Sequence, residues 1–383
     1  MGKLLVYGSF SFSVKMIGML STLKTIILFV ILLSTIVSIH ELGHLIAAKI
    51  FGVYCKEYAI GMGPKIYSHQ FKETEFSIRA LPLGGFVAMA GDNENSLETK
   101  VDTTNIPIER TLPGISKWKR IIIMLAGIFM NFVLAIVIYS LIILGNGQYS
   151  KDSKPAIEAI VADSPASNSS LQAGDIITKI EFDNGALLSP KSYTEITVFT
   201  STYYDGVGPW HISVTRNNKK EIIDVIPNYN DLEQRYIIGI QFKNEPTDIV
   251  DINILNCFVY GFDYAFLMLR IIFTSLVSLF KGIGLDQLSG PVGIYQTVET
   301  VADYGAVYYL QLIAMISINV GAFNALPLPI FDGGRVLLTL IEVVIGKPLS
   351  KDAEELVMKI SMAVLLTLFI YVSFNDVIKL IRG

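Results

Sequence analysis

His40, Glu41 and His44 lie in the run His40-Glu41-Leu42-Gly43-His44, directly after the uncharged stretch Thr25 to Ile39. On a helix, positions i and i+4 share one face about 6 Å apart along the axis, so both imidazoles can grip a single cation while Glu41 sits beside it. The chemistry this spacing suits is zinc-assisted hydrolysis, with two imidazole ligands and a carboxylate off the metal as general base. The chain has only four histidines, and two of them are here. An ionisable cluster inside an apolar span costs about 2.5 to 3.5 kcal/mol per charged group on insertion scales, which marks it as a functional feature.

Two histidines leave zinc one short of the three protein ligands of a catalytic site. Asp332 is the expected third ligand, standing at the end of Asn324-Ala325-Leu326-Pro327-Leu328-Pro329-Ile330-Phe331-Asp332, where another apolar run finishes. Pro327 and Pro329 break a helix, which is tolerated at membrane depth where backbone packs in protein or lines a wet cavity. Gly333 and Gly334 are expected to let the chain turn tightly after the ligand. His69 and His211 fall in polar stretches and are expected to be solvated or locally bonded.

The elements that must position these residues are membrane spans. Of 383 residues 52% are hydrophobic and 17% charged, and the mean hydropathy is +0.52, too apolar for a water-soluble domain of this length. Uncharged runs at about Thr25 to Ala48, Ile121 to Leu144, Ala306 to Leu328 and Ile360 to Phe374 each approach the roughly 20 residues needed to cross hydrocarbon. A further stretch, Ile254 to Phe280, carries Asp263 and Arg270 and is expected to be interfacial or membrane-associated. Lys49, Lys56 and Lys65 after the first span, and Lys117, Lys119 and Arg120 before the second, put loop 49–120 in the cytoplasm. Residues 145–305 then lie outside, as do both termini, and the metal motif faces the cytoplasm. The first 24 residues lack a small-residue cleavage site, so no cleaved leader is expected. Cys55 and Cys257 fall on opposite sides, which argues against a disulfide, and a net charge of −4 gives no support to a nucleic-acid partner.

Between Ser150 and Phe242 the composition turns polar, with strand candidates at Ile157 to Val161, Ile176 to Phe182, His211 to Thr215, Glu221 to Ile226 and Ile237 to Phe242. The segment Asp163 to Ile177, with its Gly174-Asp175 turn, resembles the pattern of PDZ domains, which bind chain ends by adding a strand to a sheet edge.

With both metal motifs in this order, the chain resembles the site-2 proteases, zinc metalloproteases that cut substrates within membranes, and most of all the bacterial regulator of sigma-E protease branch. The resemblance runs from about Thr25 to Lys379 and includes Phe51 to Lys65, Leu81 to Met89, Asn131, the PDZ-like insert, Ser289 to Ile294 and Asn324 to Gly334. Phe331 replaces a usual leucine, Ile128 stands where proline is frequent, and residues before Thr25 have no counterpart. The resemblance implies a polytopic α-helical membrane protein of about four transmembrane helices, with a cytoplasmic membrane-associated β-hairpin region and one inserted PDZ-like α+β domain. The expected layout is 1–120 with the zinc motif and β-loop, 121–149 second span, 150–245 PDZ-like domain, 246–305 membrane-associated helical segment and 306–383 third and fourth spans.

The implied activity is hydrolysis of transmembrane peptide bonds with one Zn2+ held by His40, His44 and Asp332 and with Glu41 as the catalytic base. Arg79 to Met89 then forms a membrane-dipping β-loop, hairpin-paired with Glu75 to Ile78, that receives an extended substrate at Gly84, Gly85 and Phe86. Asn324 resembles the family's substrate-contacting asparagine. Asn131 is expected to bond helix to helix. Implied partners are single-span membrane proteins such as anti-sigma factors or remnant signal peptides, the lipid bilayer, and a peptide or chain end for the PDZ-like domain, in a bacterial plasma membrane. A membrane endopeptidase of the prenyl-protein type would take glutamate as third ligand. A metal transporter would need further His or Asp along the other spans.

Overall fold

No proline interrupts residues 2–50, and the chain there runs as one helix, α1 (Gly2–Ile50), so the segment before Thr25 belongs to the same helix as the first span. A computed structural model of the chain describes residues 2–92, 101–150, 155–230, 235–242, 249–280, 290–347 and 349–382. Among these residues five helices have the length and apolarity to cross a membrane. They belong to α1, α2 (Lys117–Asn146), α4 (Cys257–Phe280), α6 (Ala306–Asn324) and α8 (Lys351–Arg382). Residues such as Ile27, Phe129, Phe273, Val364 and Phe369 point outward and are about half exposed or more, a surface suited to lipid. The fifth helix falls in the stretch expected at the interface. Contacts divide the chain into two compact units, Met1–Ser140 with Gly261–Ala265 and Ser289–Gly383, and Leu141–Tyr260 with Phe266–Leu288.

In the first unit the end of α1 packs on a sheet made by two long strands, β1 (Cys55–Phe71) and β2 (Thr74–Met89). The strands bend, so that 55–60 pairs on one side with 85–89, while 57–60 pairs on the other with 75–78, which in turn pairs with 67–70. The expected hairpin between Glu75–Ile78 and Arg79–Met89 is therefore corrected: both belong to β2, and the turn is at Lys72, which takes a left-handed φ of 52°. Buried Glu57 pins the bend, accepting from Ser77 Oγ at 2.5 Å and from Arg79 Nη2 at 2.8 Å, while the guanidinium lies 4.8 Å over the ring of Phe86. Burial pushes the Glu57 carboxyl up, but Ser77, Arg79 and Lys65 draw it below the ordinary carboxylate range. Helix α6 stops at Asn324, short of the expected Leu328, because Pro327 and Pro329 cannot continue it. After an irregular stretch, α7 (Asp332–Ile345) begins at the aspartate itself. Helix α5 (Pro291–Tyr304) holds most of the Ser289 to Ile294 motif; Ser289 lies outside the described residues. Its first turn is capped by buried Asp376 of α8, which accepts from the amides of Gly290 and Gly293 at 2.9 and 3.0 Å.

The second unit carries β3 (Gln148–Ser150), β4 (Ile157–Ile160), β5 (Ile176–Phe182), β6 (Leu187–Leu188), α3 (Tyr193–Tyr203), β7 (Trp210–Arg216), β8 (Lys219–Val225), β9 (Asn228–Asn230), β10 (Arg235–Ile237), β11 (Ile240–Phe242) and β12 (Ile249–Asp251). An antiparallel sheet in the order β6-β5-β7-β8 and the pair β4-β11 enclose a core in which Phe182 stacks on Phe199 at 5.1 Å and Trp210 lies 5.8 Å away. Gly174 turns with φ +93°, and the buried Asp175 next to it accepts from the Gln172 amide and from Arg216 twice at 2.7 Å.

Candidate metal centre

α1 is the element that sets the first two residues one turn apart, with the His40 and His44 rings edge to face at 4.8 Å. Asp332 reaches them because the chain after α6 doubles back: the amides of Leu328 and Phe331 bond to Leu326 and Leu328 carbonyls, and α7 starts against that loop. Gly333 and Gly334 are corrected here. They do not turn the chain but lie in the first turn of α7, where an added Cβ would come within 2.3 Å of the Ala325 carbonyl oxygen or 2.1 Å of Leu328. Their lack of a side chain lets α7 rest on the loop backbone and bring Asp332 in.

Three atoms then converge. The two Nε2 atoms are 3.2 Å apart, and Asp332 Oδ2 lies 3.0 Å from that of His40 and 3.3 Å from that of His44. All three residues are at most 9% exposed. Bonds of about 2.0 to 2.2 Å at tetrahedral angles would place ligand atoms about 3.3 to 3.6 Å apart, so the triangle suits one zinc ion after a slight opening. Protonation points the same way. His44 Nδ1 is 2.8 Å from the Ile123 carbonyl, which can only accept, so a hydrogen is on Nδ1 and Nε2 is the atom turned toward Asp332. Asp332 Oδ2 is buried with no hydrogen-bond donor. With both Nε2 atoms unprotonated, three acceptors turned toward one another in an apolar interior would repel unless a cation lay between them.

The other expected site residues are placed as follows. Glu41 is half-buried and outside the triangle, and a Cβ added to Gly85 would be 3.7 Å from its Cγ, so β2 passes directly beside it. Gly84 takes φ +81° next to Met62, and Gly85 pairs with Ile60. The Phe86 ring is buried with Ala59 and Ala88. Asn324 ends α6, half-buried. His69 is exposed on β1, and His211 sits between Asp183 and Asp224 at 2.8 and 2.7 Å.

Sequence reasoning missed the part played by α2. Gly127 lies against both imidazoles: a Cβ there would be 2.5 Å from His44 Nε2 and 2.8 Å from His40 Cε1. Ile123 and Gly127 are one turn apart, and Asn131, one turn further, is 3.3 Å from His40 Nδ1. The signal available was a small residue and an amide four apart in an otherwise apolar span. Asp92 was missed too; it is nearly fully buried and holds Arg335 of α7 at 2.7 Å, tying the end of β2 to the helix that carries Asp332.

The family description Peptidase family M50 fits residues 28–368. The chain belongs to the M50, or site-2 protease, family. It is similar to the regulator of sigma-W protease RasP of Bacillus subtilis, at 31% identity over 93% of this chain and 99% of the relative. A putative zinc metalloprotease of Clostridium acetobutylicum is 33% identical over 92% of this chain and 97% of that one. A solved PDZ domain of an SdrC-like protein from Listeria monocytogenes covers 25% of this chain and 94% of its own at 24% identity, with a TM-score of 0.21, too low to argue from. The protein is thus a zinc metalloprotease of the M50 family, a hydrolase and a membrane protein.

Proposed function

We propose that the chain is an intramembrane endopeptidase that cuts transmembrane segments of membrane-anchored proteins, with one zinc ion held by His40, His44 and Asp332. The observation that carries this is the triangle of buried acceptor atoms at 3.0 to 3.3 Å on an apolar helix. When bound, zinc polarises a carbonyl and lowers the pKa of water toward about 7. Glu41, off the triangle and next to β2, takes the proton from the attacking water and returns it to the leaving amine. A transmembrane helix hides its peptide bonds, so the substrate must unwind; Gly84, Gly85 and Phe86 of β2 and Asn324 at the end of α6 are the groups we assign to binding the extended chain.

Topology follows from the same site. α1 and α6 both bring their C-terminal ends to it, so both cross in one direction, and a single net return crossing is needed between them, which α2 supplies. α4 then lies along the membrane rather than through it, and its outward stripe of Phe258, Phe262, Phe266 and Phe273 suits an interfacial helix. The strand-rich unit at 148–251 is read as a PDZ-like extracytoplasmic module, open to a peptide or chain end. Cytoplasmic access to the metal follows from Lys49, Lys117, Lys119 and Arg120 near the span ends. The name of the Bacillus relative supports anti-sigma factors as substrates, with remnant signal peptides as a second group of single-span proteins.

In purified protein, Glu41→Gln should keep stoichiometric zinc and lose turnover, whereas Asp332→Ala should lose zinc. Cleavage by the first variant at the wild-type rate, or full metal content in the second, would remove these assignments. Proteins trapped on Glu41→Gln should be single-span membrane proteins; capture of soluble proteins alone would refute the substrate class.

A further inference from the structure

We propose that Asn131 is a positioning residue that fixes the tautomer of His40 for the metal. The inference rests on the zinc assignment above. A histidine that gives Nε2 to a metal must carry its hydrogen on Nδ1, and that hydrogen needs an acceptor. For His44 the acceptor is the Ile123 carbonyl at 2.8 Å. For His40 the neighbouring group is the Asn131 amide, 3.3 Å from Nδ1 and fully buried. Its two ends are not equivalent. With Nδ2 toward His40, as the atoms stand, the amide donates to a bare Nδ1, and the ring must then be protonated on Nε2, the atom that faces Asp332 and His44. With Oδ1 toward His40, the amide accepts Nδ1–H and Nε2 is free to bind. Only the second orientation is compatible with a metal in the triangle, and oxygen and nitrogen of an amide occupy the same shape.

The backbone makes the placement firm. Asn131 is held on α2 two turns beyond Ile123, with Gly127 between them giving the rings room, and its own carbonyl accepts from Ser317 Oγ of α6 at 2.9 Å. One face of α2 thus meets both histidines: a carbonyl for His44, clearance for both rings and an amide for His40. The side chain acts through His40 and not on the substrate.

The test compares Asn131→Asp, which keeps an acceptor and loses the donor, with Asn131→Leu, which has neither. Zinc affinity is measured on purified full-length protein by competition with a chelator, next to the melting temperature of the zinc-free protein and the visible spectrum of the cobalt-substituted form. Loss of the acceptor is expected to weaken zinc binding about 10- to 100-fold in Asn131→Leu and to alter the cobalt spectrum. Asn131→Asp should bind within about threefold of wild type or more tightly, since a carboxylate behind a metal-bound imidazole is a strong acceptor. If the amide serves instead as a donor in a helix-to-helix bond, Asn131→Asp loses affinity along with Asn131→Leu, and the proposal is overturned. It is overturned equally if Asn131→Leu binds zinc like wild type. Asn131→Asp alone separates the two roles if Asn131→Leu does not fold. Failure of the wild type itself to bind zinc would refute the underlying site, a distinct result.

Discussion

Replacing Gly127 by alanine should separate metal affinity from folding. The new Cβ would stand 2.5 Å from His44 Nε2, 2.7 Å from His44 Cε1 and 2.8 Å from His40 Cε1. Ordinary carbon contacts begin near about 3.5 Å, so the His44 ring has to retreat by about 1 Å. Zinc ligands tolerate only about 0.2 Å. The crowding costs about 1 to 3 kcal/mol as in other overpacked interiors, and because the rings can relax when no ion holds them, most of that cost falls on the zinc-bound form. It corresponds to a loss of about 5- to 150-fold in zinc affinity. The zinc-free fold gains up to about 1 kcal/mol from alanine's better helix propensity, which offsets residual strain. Zinc competition with a chelator, with the zinc-free melting temperature in parallel, reads both quantities. Gly145→Ala is the control, on the same helix with nothing within 4 Å of the new Cβ. Wild-type zinc affinity in Gly127→Ala, or an equal loss in Gly145→Ala, would refute the clearance argument.

Two predictions concern the strand-rich unit. Burial pushes the Asp175 carboxyl up, yet the paired bonds from Arg216 and the Gln172 amide draw it net below the ordinary range. Its contribution is therefore present above about pH 3.9 and is lost as pH falls through the lower folded value. Asp175→Ala, which leaves Arg216 with Glu221 and the Ser170 carbonyl alone, should reduce thermal stability and bring earlier protease nicking within 155–242; an unchanged melt would contradict the pairing. His211 behaves oppositely. The bonds to Asp183 and Asp224 raise its pKa, so its contribution is complete below about pH 6.5 and fades as pH rises through the folded value. Both carboxylates are more than half exposed, which limits the effect to under about 1 kcal/mol. His211→Asn should flatten the melting profile between pH 6 and 9, and an unaltered slope would exclude the bracket as its cause.

How far the sequence was legible depends on the range of the interactions. His40 and His44 could be read because helical spacing is local and α1 has no residue that breaks it. Asp332 could be read as a candidate ligand because Pro327 and Pro329 break the apolar run just before it, and a carboxylate at that depth needs a cationic partner. The role of Gly333 and Gly334 was misread: glycine permits both a turn and a close approach, and which applies depends on the Ala325 and Leu328 backbone folding back onto them. The β1–β2 pairing was misassigned for a similar reason. Glu75–Ile78 finds its partners on both sides in β1 and not in Arg79–Met89, because the reversal falls at Lys72, a residue with no turn signature, and Glu57 with Arg79 supplies the charge pair that makes the longer strands bend together. Strands 176–182 and 219–225 alternate or form compact apolar runs between turn residues, and there the sequence pattern and the structure nearly coincide.

The α2 face shows why the remainder stayed hidden. A carbonyl has no sequence signature, so Ile123 could not be distinguished from any other apolar residue of the span, although its oxygen sets the tautomer of His44. Gly127 reads as a packing glycine, and its function as clearance exists only once two imidazoles are placed against it. The same constraint explains the chemical economy of the site. In hydrocarbon every polar atom must be matched, so each histidine needs an acceptor behind it as well as a cation in front. A neighbouring helix that meets the motif through a backbone oxygen, a hydrogen atom and one amide meets that need with a single buried polar side chain. Polar residues scattered along the other spans would serve no such purpose, so an apolar chain with four histidines has the means to hold one cation at this place.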